Sequence, residues 1–146
     1  MYTGEDSSVQ SGLLTGKAWD RTCHRISDYK ITVNGVEETI SLTDSRKYGN
    51  YNNSQFPANT GIYVQNQKQL SGANENWKTK NIYDLAGNVY EWTYEVYASH
   101  SVCREGRYND GGDGNPISCR SYGDRFSAFG HVGFRLRLYI KTNWQS

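Results

Sequence analysis

The sequence predicts an α+β domain of short antiparallel strands, few helices and long ordered loops, and three patterns carry that prediction. Tyr90, Trp92, Tyr94 and Val96 alternate with Glu91, Thr93, Glu95 and Tyr97, and Phe134, Leu136, Leu138 and Ile140 alternate with Arg135, Arg137 and Tyr139. A period of two marks strands with one buried face, so the apolar set is expected inside, with Arg135 and Arg137 pointing away from it. A single helix is expected from Thr15 to Ile26, where Trp19, Cys23 and Ile26 follow the i, i+4, i+7 spacing of one face and Thr15 is a suitable N-cap. Between Ser41 and Lys80 no period is sustained. That stretch is rich in Asn, Ser, Gly, Gln and Tyr and reads as loop held down by Tyr48, Tyr51, Phe56, Tyr63 and Trp77.

The remaining elements follow from local chemistry. Asn34-Gly35 stands between the apolar runs Lys30-Ile31-Thr32-Val33 and Val36-Glu37-Glu38-Thr39-Ile40, the spacing of a tight hairpin. Glu37 and Glu38 beside that turn are most simply a solvated face. A length of 146 residues suits one domain, residues 1–146, with one modest core.

Composition narrows the function classes. With 16 basic and 15 acidic residues and no block of like charge, the chain lacks the electrostatic footprint of a nucleic-acid binder. No apolar run approaches the roughly 18 residues that a membrane-spanning helix needs. Met1-Tyr2-Thr3-Gly4-Glu5-Asp6 has no basic start leading into an apolar stretch, so no targeting signal is visible. Cys23, Cys103 and Cys119 are an odd number at wide spacings, without a CxxC knuckle. Two readings stand for them: three small packed thiols, or one bridge between Cys103 and Cys119. His24, His100 and His131 are scattered, with neither an HExxH pair nor a GxSxG elbow nearby, and read as surface or hydrogen-bonded side chains.

One set of motifs is more specific. Asn81-Ile82-Tyr83-Asp84-Leu85-Ala86-Gly87-Asn88-Val89-Tyr90-Glu91-Trp92-Thr93, then Arg104-Glu105-Gly106, then Gly133-Phe134-Arg135, resembles the core signature of formylglycine-generating-enzyme-like sulfatase-modifying domains. Gly12-Leu13-Leu14-Thr15-Gly16-Lys17-Ala18-Trp19-Asp20 and Asp44-Ser45-Arg46-Lys47-Tyr48-Gly49-Asn50-Tyr51 resemble bacterial and phage members of that family. The likeness spans residues 9–140 and implies a C-type-lectin-like fold. Family members carry a further strand and helix upstream, so this chain is similar to the C-terminal portion of a longer domain.

The same resemblance tests the enzymatic reading. In the enzyme two reactive cysteines work with copper and oxygen after the turn matched here by Arg104-Glu105-Gly106, and in this chain Asp110 and Asn115 fall at their places. Without a thiolate pair there is no soft ligand set for Cu(I) and no sulfur for a mixed disulfide, so no copper and no formylglycine formation are expected. Relatives also hold Ca²⁺ on the turn that runs here from Asp84 to Glu91, which would make Asp84, the carbonyls of Gly87 and Val89, and Glu91 its oxygen ligands. The alternative is a plain turn, in which Asp84 caps backbone amides and Glu91 pairs with an arginine.

The stretch Gly106 to His131 has an unusual composition. Lys, Glu, Gln, Trp and Met together make up 25 of the 146 residues, and none of them occurs in this window of 26. A window of that length should hold about four or five of them. These are the amino acids that cannot arise when adenines are replaced at random in Asn codons ending in a pyrimidine; all other coding residues can. Such a trace resembles the variable proteins of diversity-generating retroelements, which are often built on the lectin-like fold and diversified near the C-terminus. An ordinary Gly-rich loop, short of long side chains, gives the same absence.

On the diversified reading, Arg107, Tyr108, Asn109, Asp110, Asp113, Ser121, Tyr122, Gly123, Asp124, Phe129 and His131 form an exposed ligand-binding face, mixing rigid aromatics with short adaptable polar groups. Arg104, Pro116, Arg120 and Gly133-Phe134-Arg135 are then its frame. The expected partner is a protein or a glycan, met at a virion or bacterial cell surface. The competing class is a redox or protein-modifying relative of the enzyme that uses Cys103 or Cys119. Thiol accessibility separates the two, because a nucleophile needs a partly exposed thiolate of low pKa.

Overall fold

The computed structural model describes residues 9–33, 35–55, 61–124 and 126–140, with Val9, Tyr139 and Ile140 described by their backbone alone. The chain opens with strand β1 (Val9–Leu13) and passes directly into helix α1 (Gly16–Ile26). Thr15 lies in extended backbone, and its Oγ1 accepts from the Ala18 amide at 3.2 Å, which satisfies one of the N–H groups that the first helical turn leaves free. Trp19, Cys23 and Ile26 fall on one face as their spacing predicts, and all three are buried. The Trp19 indole N–H donates to the Ile117 carbonyl at 3.0 Å, fastening the helix to a residue 98 positions away.

The predicted hairpin forms as β2 (Lys30–Val33) and β3 (Val36–Thr39), paired antiparallel with Val33 opposite Val36. Gly35 takes φ +80 in its turn, a conformation that costs glycine nothing. Most of the ribbon faces solvent; Val33 and the following Ile40 are buried. The stretch after it is irregular up to a short 3₁₀ turn at Glu75–Trp77, and its aromatics are indeed the anchors: Tyr48, Tyr51 and Trp77 are buried, and the half-buried Tyr63 hydroxyl donates to the Tyr51 carbonyl at 2.7 Å. Phe56 lies outside the described residues. Tyr48 and Tyr51 join Trp19, Cys23, Ile26, Ile40, Leu85, Ala86 and Ile117 in one core cluster, so two thirds of these core residues come from loops.

Two short strands, β4 (Lys78–Thr79) and β5 (Ile82–Tyr83), lead to a four-stranded sheet of β6 (Tyr90–Tyr97), β7 (His100–Arg104), β8 (Arg120–Gly123) and β9 (Val132–Phe134) in the order β8-β7-β6-β9. β6 and β9 run parallel, a departure from the expected antiparallel arrangement; the other pairs in that sheet are antiparallel. After Arg135 the chain continues as β10 (Leu136–Ile140), which pairs with β1. The Leu14 amide donates to the Arg135 carbonyl at 3.2 Å and the Tyr94 amide to the Leu14 carbonyl at 2.9 Å, stitching the two sheets together. The described residues thus form a β-rich fold of small sheets with one α-helix, and none of their helices is long and apolar enough to cross a membrane.

The strands lie where the alternation puts them, but their faces are reversed. Phe134, Leu136 and Leu138 are 67%, 61% and 70% exposed, whereas Arg135 and Arg137 are half-buried. The Ile140 side chain lies outside the described residues. On β6 likewise Glu91 and Thr93 are buried, while Tyr94 and Val96 are exposed. The reason is charge pairing. Glu91 meets Arg135 and Glu95 meets Arg104 under the sheet, and Arg104, 1% exposed, reaches on to Asp20 of α1 at 2.5 Å. Alternation fixes which residues share a face, and these buried ion pairs decide which face is inward.

Glu105 is fully buried with φ +61, and neither carboxylate oxygen has a hydrogen-bond partner among the described residues. Burial above all, and then the nearby Glu91 charge, hold its pKa well above the ordinary 4.5. An acid raised in the folded state favours unfolding as pH climbs past its unfolded pKa, at about 1.4 kcal/mol per pH unit until the folded pKa is reached. Glu105→Gln is therefore expected to raise the melting temperature at neutral pH and to leave it unchanged near pH 4, as followed by circular dichroism across that range.

Candidate functional site

The surface between β6, β8 and β9 carries a cleft of about 270 Å³ whose walls are Tyr90, Trp92, Cys103, Ser121, Tyr122, Gly123, Phe129, His131 and Val132. Two of its walls come from β6 itself, because the reversed faces turn Tyr90 and Trp92 outward. The other side comes from β8 and from the turn that leads into β9. Phe129 lies 6.4 Å from the Trp92 ring and 5.7 Å from His131, and His131 in turn meets Tyr90 edge-on at 6.2 Å. The result is a row of rings lining one groove. Burial, and then the Arg107 charge, lower the His131 pKa, which favours the neutral imidazole.

Gly123 is required by the space. A Cβ there would lie 2.5 Å from Cη2 of Trp92, so a side chain would push the indole out of the groove. Gly87 has the same kind of role at the turn before β6. It takes φ +74, and a Cβ would run into the Asn50 backbone. The next residue, Asn88, uses its side chain on both sides, accepting from Asn50 Nδ2 at 3.1 Å and donating to the Gln69 carbonyl at 3.1 Å. These bonds tie the long loop to the start of β6.

A second group adjoins the cleft at Tyr90. Its hydroxyl donates to Asp110 at 2.6 Å, and the Arg107 guanidinium sits 5.8 Å above its ring while pairing with Asp110 at 3.4 Å. Burial and the Asp110 carboxylate both push the Tyr90 phenol up, so it remains a hydrogen-bond donor. Arg107, Asp110, Ser121, Tyr122, Gly123, Phe129 and His131 are thus brought together around Tyr90 and Trp92. Tyr108 and Asn109 lie on the adjoining loop, where the Tyr108 amide donates to the Asn88 carbonyl at 3.1 Å and the Asn109 carbonyl accepts from Asn52 at 3.1 Å. Asp113 is bound elsewhere, to Asn53 at 3.0 Å and Arg46 at 3.6 Å. Asp124 caps its own turn through the Phe126 amide at 3.0 Å and the Ser127 hydroxyl at 2.9 Å.

The positions matched to the enzyme's thiols hold polar groups already in use: Asp110 as above, and Asn115, which accepts from Cys119 Sγ at 3.7 Å. All three cysteines are free. Cys103 is buried, and burial pushes its thiol up to about 11.

At the Asp84–Glu91 turn a guanidinium holds Glu91, one of the four oxygen donors that the turn offers a cation. Arg135 donates to both Glu91 oxygens at 2.7 and 2.9 Å and to the carbonyls of Tyr83 and Asp84 at 3.1 and 3.0 Å. Asp84 accepts from the Ser71 hydroxyl at 2.5 Å and the Gly72 amide at 3.1 Å.

No protein-family model and no curated protein matches this chain. Among solved structures, variable protein 1 of Treponema denticola is similar, with a TM-score of 0.55 at 19% identity over 90% of this chain and 48% of that one. The two share a fold. This chain spans about half the length of that protein, and at such identity the likeness concerns the fold and nothing finer.

The geometry at the turn sets an expectation for Ca²⁺. A cation taking Glu91 must displace Arg135, so millimolar Ca²⁺ is expected to leave the melting temperature unmoved, and a rise by mass action would assign a site there. Arg135→Ala, which strands the buried Glu91, is expected to cost about 3–5 kcal/mol in urea unfolding.

Proposed function

We propose that this chain is a non-catalytic binding module of C-type-lectin-like fold, a variable protein of the diversity-generating-retroelement kind, and that the cleft on β6, β8 and β9 is its ligand-binding face. The observation that carries this reading is a coincidence of two independent boundaries. The window that lacks Lys, Glu, Gln, Trp and Met supplies Ser121, Tyr122, Gly123, Phe129 and His131 to one wall of the cleft, while Tyr90 and Trp92 opposite lie outside it. An ordinary Gly-rich loop has no reason to set Phe129 and His131 beside Trp92 and Tyr90 in one groove. The fold likeness to a protein called a variable protein supports the same reading.

Physical chemistry fits a binding role. Tyr122 and Phe129 are 53% and 36% exposed, and apolar surface of this kind is retained where an interface uses it. The Tyr122 ring lies on the other face of β8 from Ser121 and Gly123, where it stacks on Tyr97 with centroids 4.9 Å apart. The frame is bonded internally: Arg104 to Asp20 and Glu95, Arg135 to Glu91. The redox alternative finds no support at Cys103, since a nucleophilic thiol needs exposure and a low pKa and Cys103 has neither, while the half-buried Cys119 meets Asn115.

Two outcomes are expected. Replacing Tyr108, Asn109, Asp113, Ser121, Tyr122, Asp124, Phe129 and His131 together by Ser should leave a cooperative melt, because surface substitutions shift stability by about 0.5 kcal/mol or less each; a collapse of the fold would make them core residues and end the reading. Sequencing the surrounding DNA should find a reverse-transcriptase gene and a near-copy of the codons for Gly106 to His131, differing at adenines. The absence of both would remove diversification as the cause of the biased window.

A further inference from the structure

We infer that the ligand of this cleft is an extended protein segment, which adds as a strand to the open edge of β8 and places an apolar side chain between Trp92 and Phe129. This rests on the reading of the cleft as the binding face and specifies what that face takes.

Three observations lead there. First, β8 is a terminal strand of its sheet, paired with β7 alone. The Glu105 amide donates to the Cys119 carbonyl at 3.2 Å as the two strands meet, and an antiparallel ladder alternates residue by residue from there. The backbone N–H and C=O groups of Arg120 and Tyr122 therefore face the open edge, and no other backbone group among the described residues bonds to them. A row of unused donors and acceptors is a template for one more strand.

Second, the side-chain charges around the cleft are already neutralised. Asp110 is held by Tyr90 and Arg107, Asp124 by its own turn, and Arg120 by Asp20 at 2.9 Å and Glu95 at 3.0 Å. The carboxylates that could meet sugar hydroxyls around the cleft are engaged, Asp110 by Tyr90 and Asp124 by its own turn. Beside the His131 imidazole, the open groups are those of the β8 backbone, and their complement is another backbone, uncharged where it crosses the groove. Third, the cleft is a small open groove of about 270 Å³ walled by rings, room for one large side chain.

The arrangement also reconciles variation with affinity. Hydrogen bonds from a strand edge do not depend on which side chains the strand carries. A face whose side chains change can then keep a constant backbone handhold, leaving the ring-lined groove to select the residue inserted.

The test is panning of a phage-displayed library of linear random dodecapeptides on the purified chain, followed by synthesis of the enriched peptides. Enriched peptides should carry an aromatic or branched aliphatic residue within an extended stretch. N-methylation of alternate peptide amides should weaken binding at least tenfold, with the intervening positions tolerant, and the Arg120 and Tyr122 amides should gain at least tenfold protection from hydrogen exchange. Peptides that bind with uniform tolerance of N-methylation and no protection at β8 would overturn strand addition while leaving the cleft as the binding face. Failure to enrich any peptide, with binding on a glycan array lost in Phe129→Ser, would likewise overturn the inference and preserve the site. Binding of peptides that is unaffected by Trp92→Ala and Phe129→Ser would sink the inference and the reading of the cleft together.

Discussion

The Arg135 guanidinium is the joint on which the sheet is assembled. It lies at the break between β9 and β10, holds both oxygens of the buried Glu91 on β6, and reaches the carbonyls of Tyr83 and Asp84 in the preceding turn. Three chain segments far apart in sequence are thereby fixed by one planar, five-donor group. Once Glu91 and Arg135 face inward, the period-two rule turns every second neighbour outward, and Tyr90, Trp92 and Phe134 become surface. The cleft is thus a consequence of an ion pair on the opposite side of the same strands.

That dependence explains what could be read from the residues and what could not. The helix was legible down to its cap, because the Thr15 hydrogen bond and the Trp19, Cys23, Ile26 stripe are local. So was the hairpin, whose turn carries Gly35 at φ +80, and so were the positions of the long strands. Their orientation was not legible. A row such as Tyr90, Trp92, Tyr94 and Val96 is apolar enough to be core, and nothing within ten residues shows that Glu91 has its partner 44 positions away. Long-range electrostatics overrode the local hydrophobic signal here.

The site divides in the same way. Ser121, Tyr122, Phe129 and His131 stand in the window that lacks Lys, Glu, Gln, Trp and Met, a compositional signal that requires no knowledge of the fold. Tyr90 and Trp92 were missed as cleft walls because they had been assigned to the core. Asp113 and Asp124 were grouped with the cleft by proximity in sequence, yet each is consumed by local bonds, Asp113 with Asn53 and Asp124 with its own turn. Short polar residues in loops often serve the backbone first, and composition does not separate that use from recognition.

The fastening of α1 to the far end of the chain has a kinetic side. Trp19 bonds the carbonyl of Ile117, and Asp20 meets Arg104 and Arg120, contacts that close loops of 98, 84 and 100 residues. Closing such loops costs entropy before any contact compensates it, so folding of this chain belongs to the slow, non-local regime. The clasp at Ile117 uses a main-chain oxygen, which every residue provides. A substitution at position 117 therefore leaves the acceptor of this long-range clasp in place, whatever it costs the core.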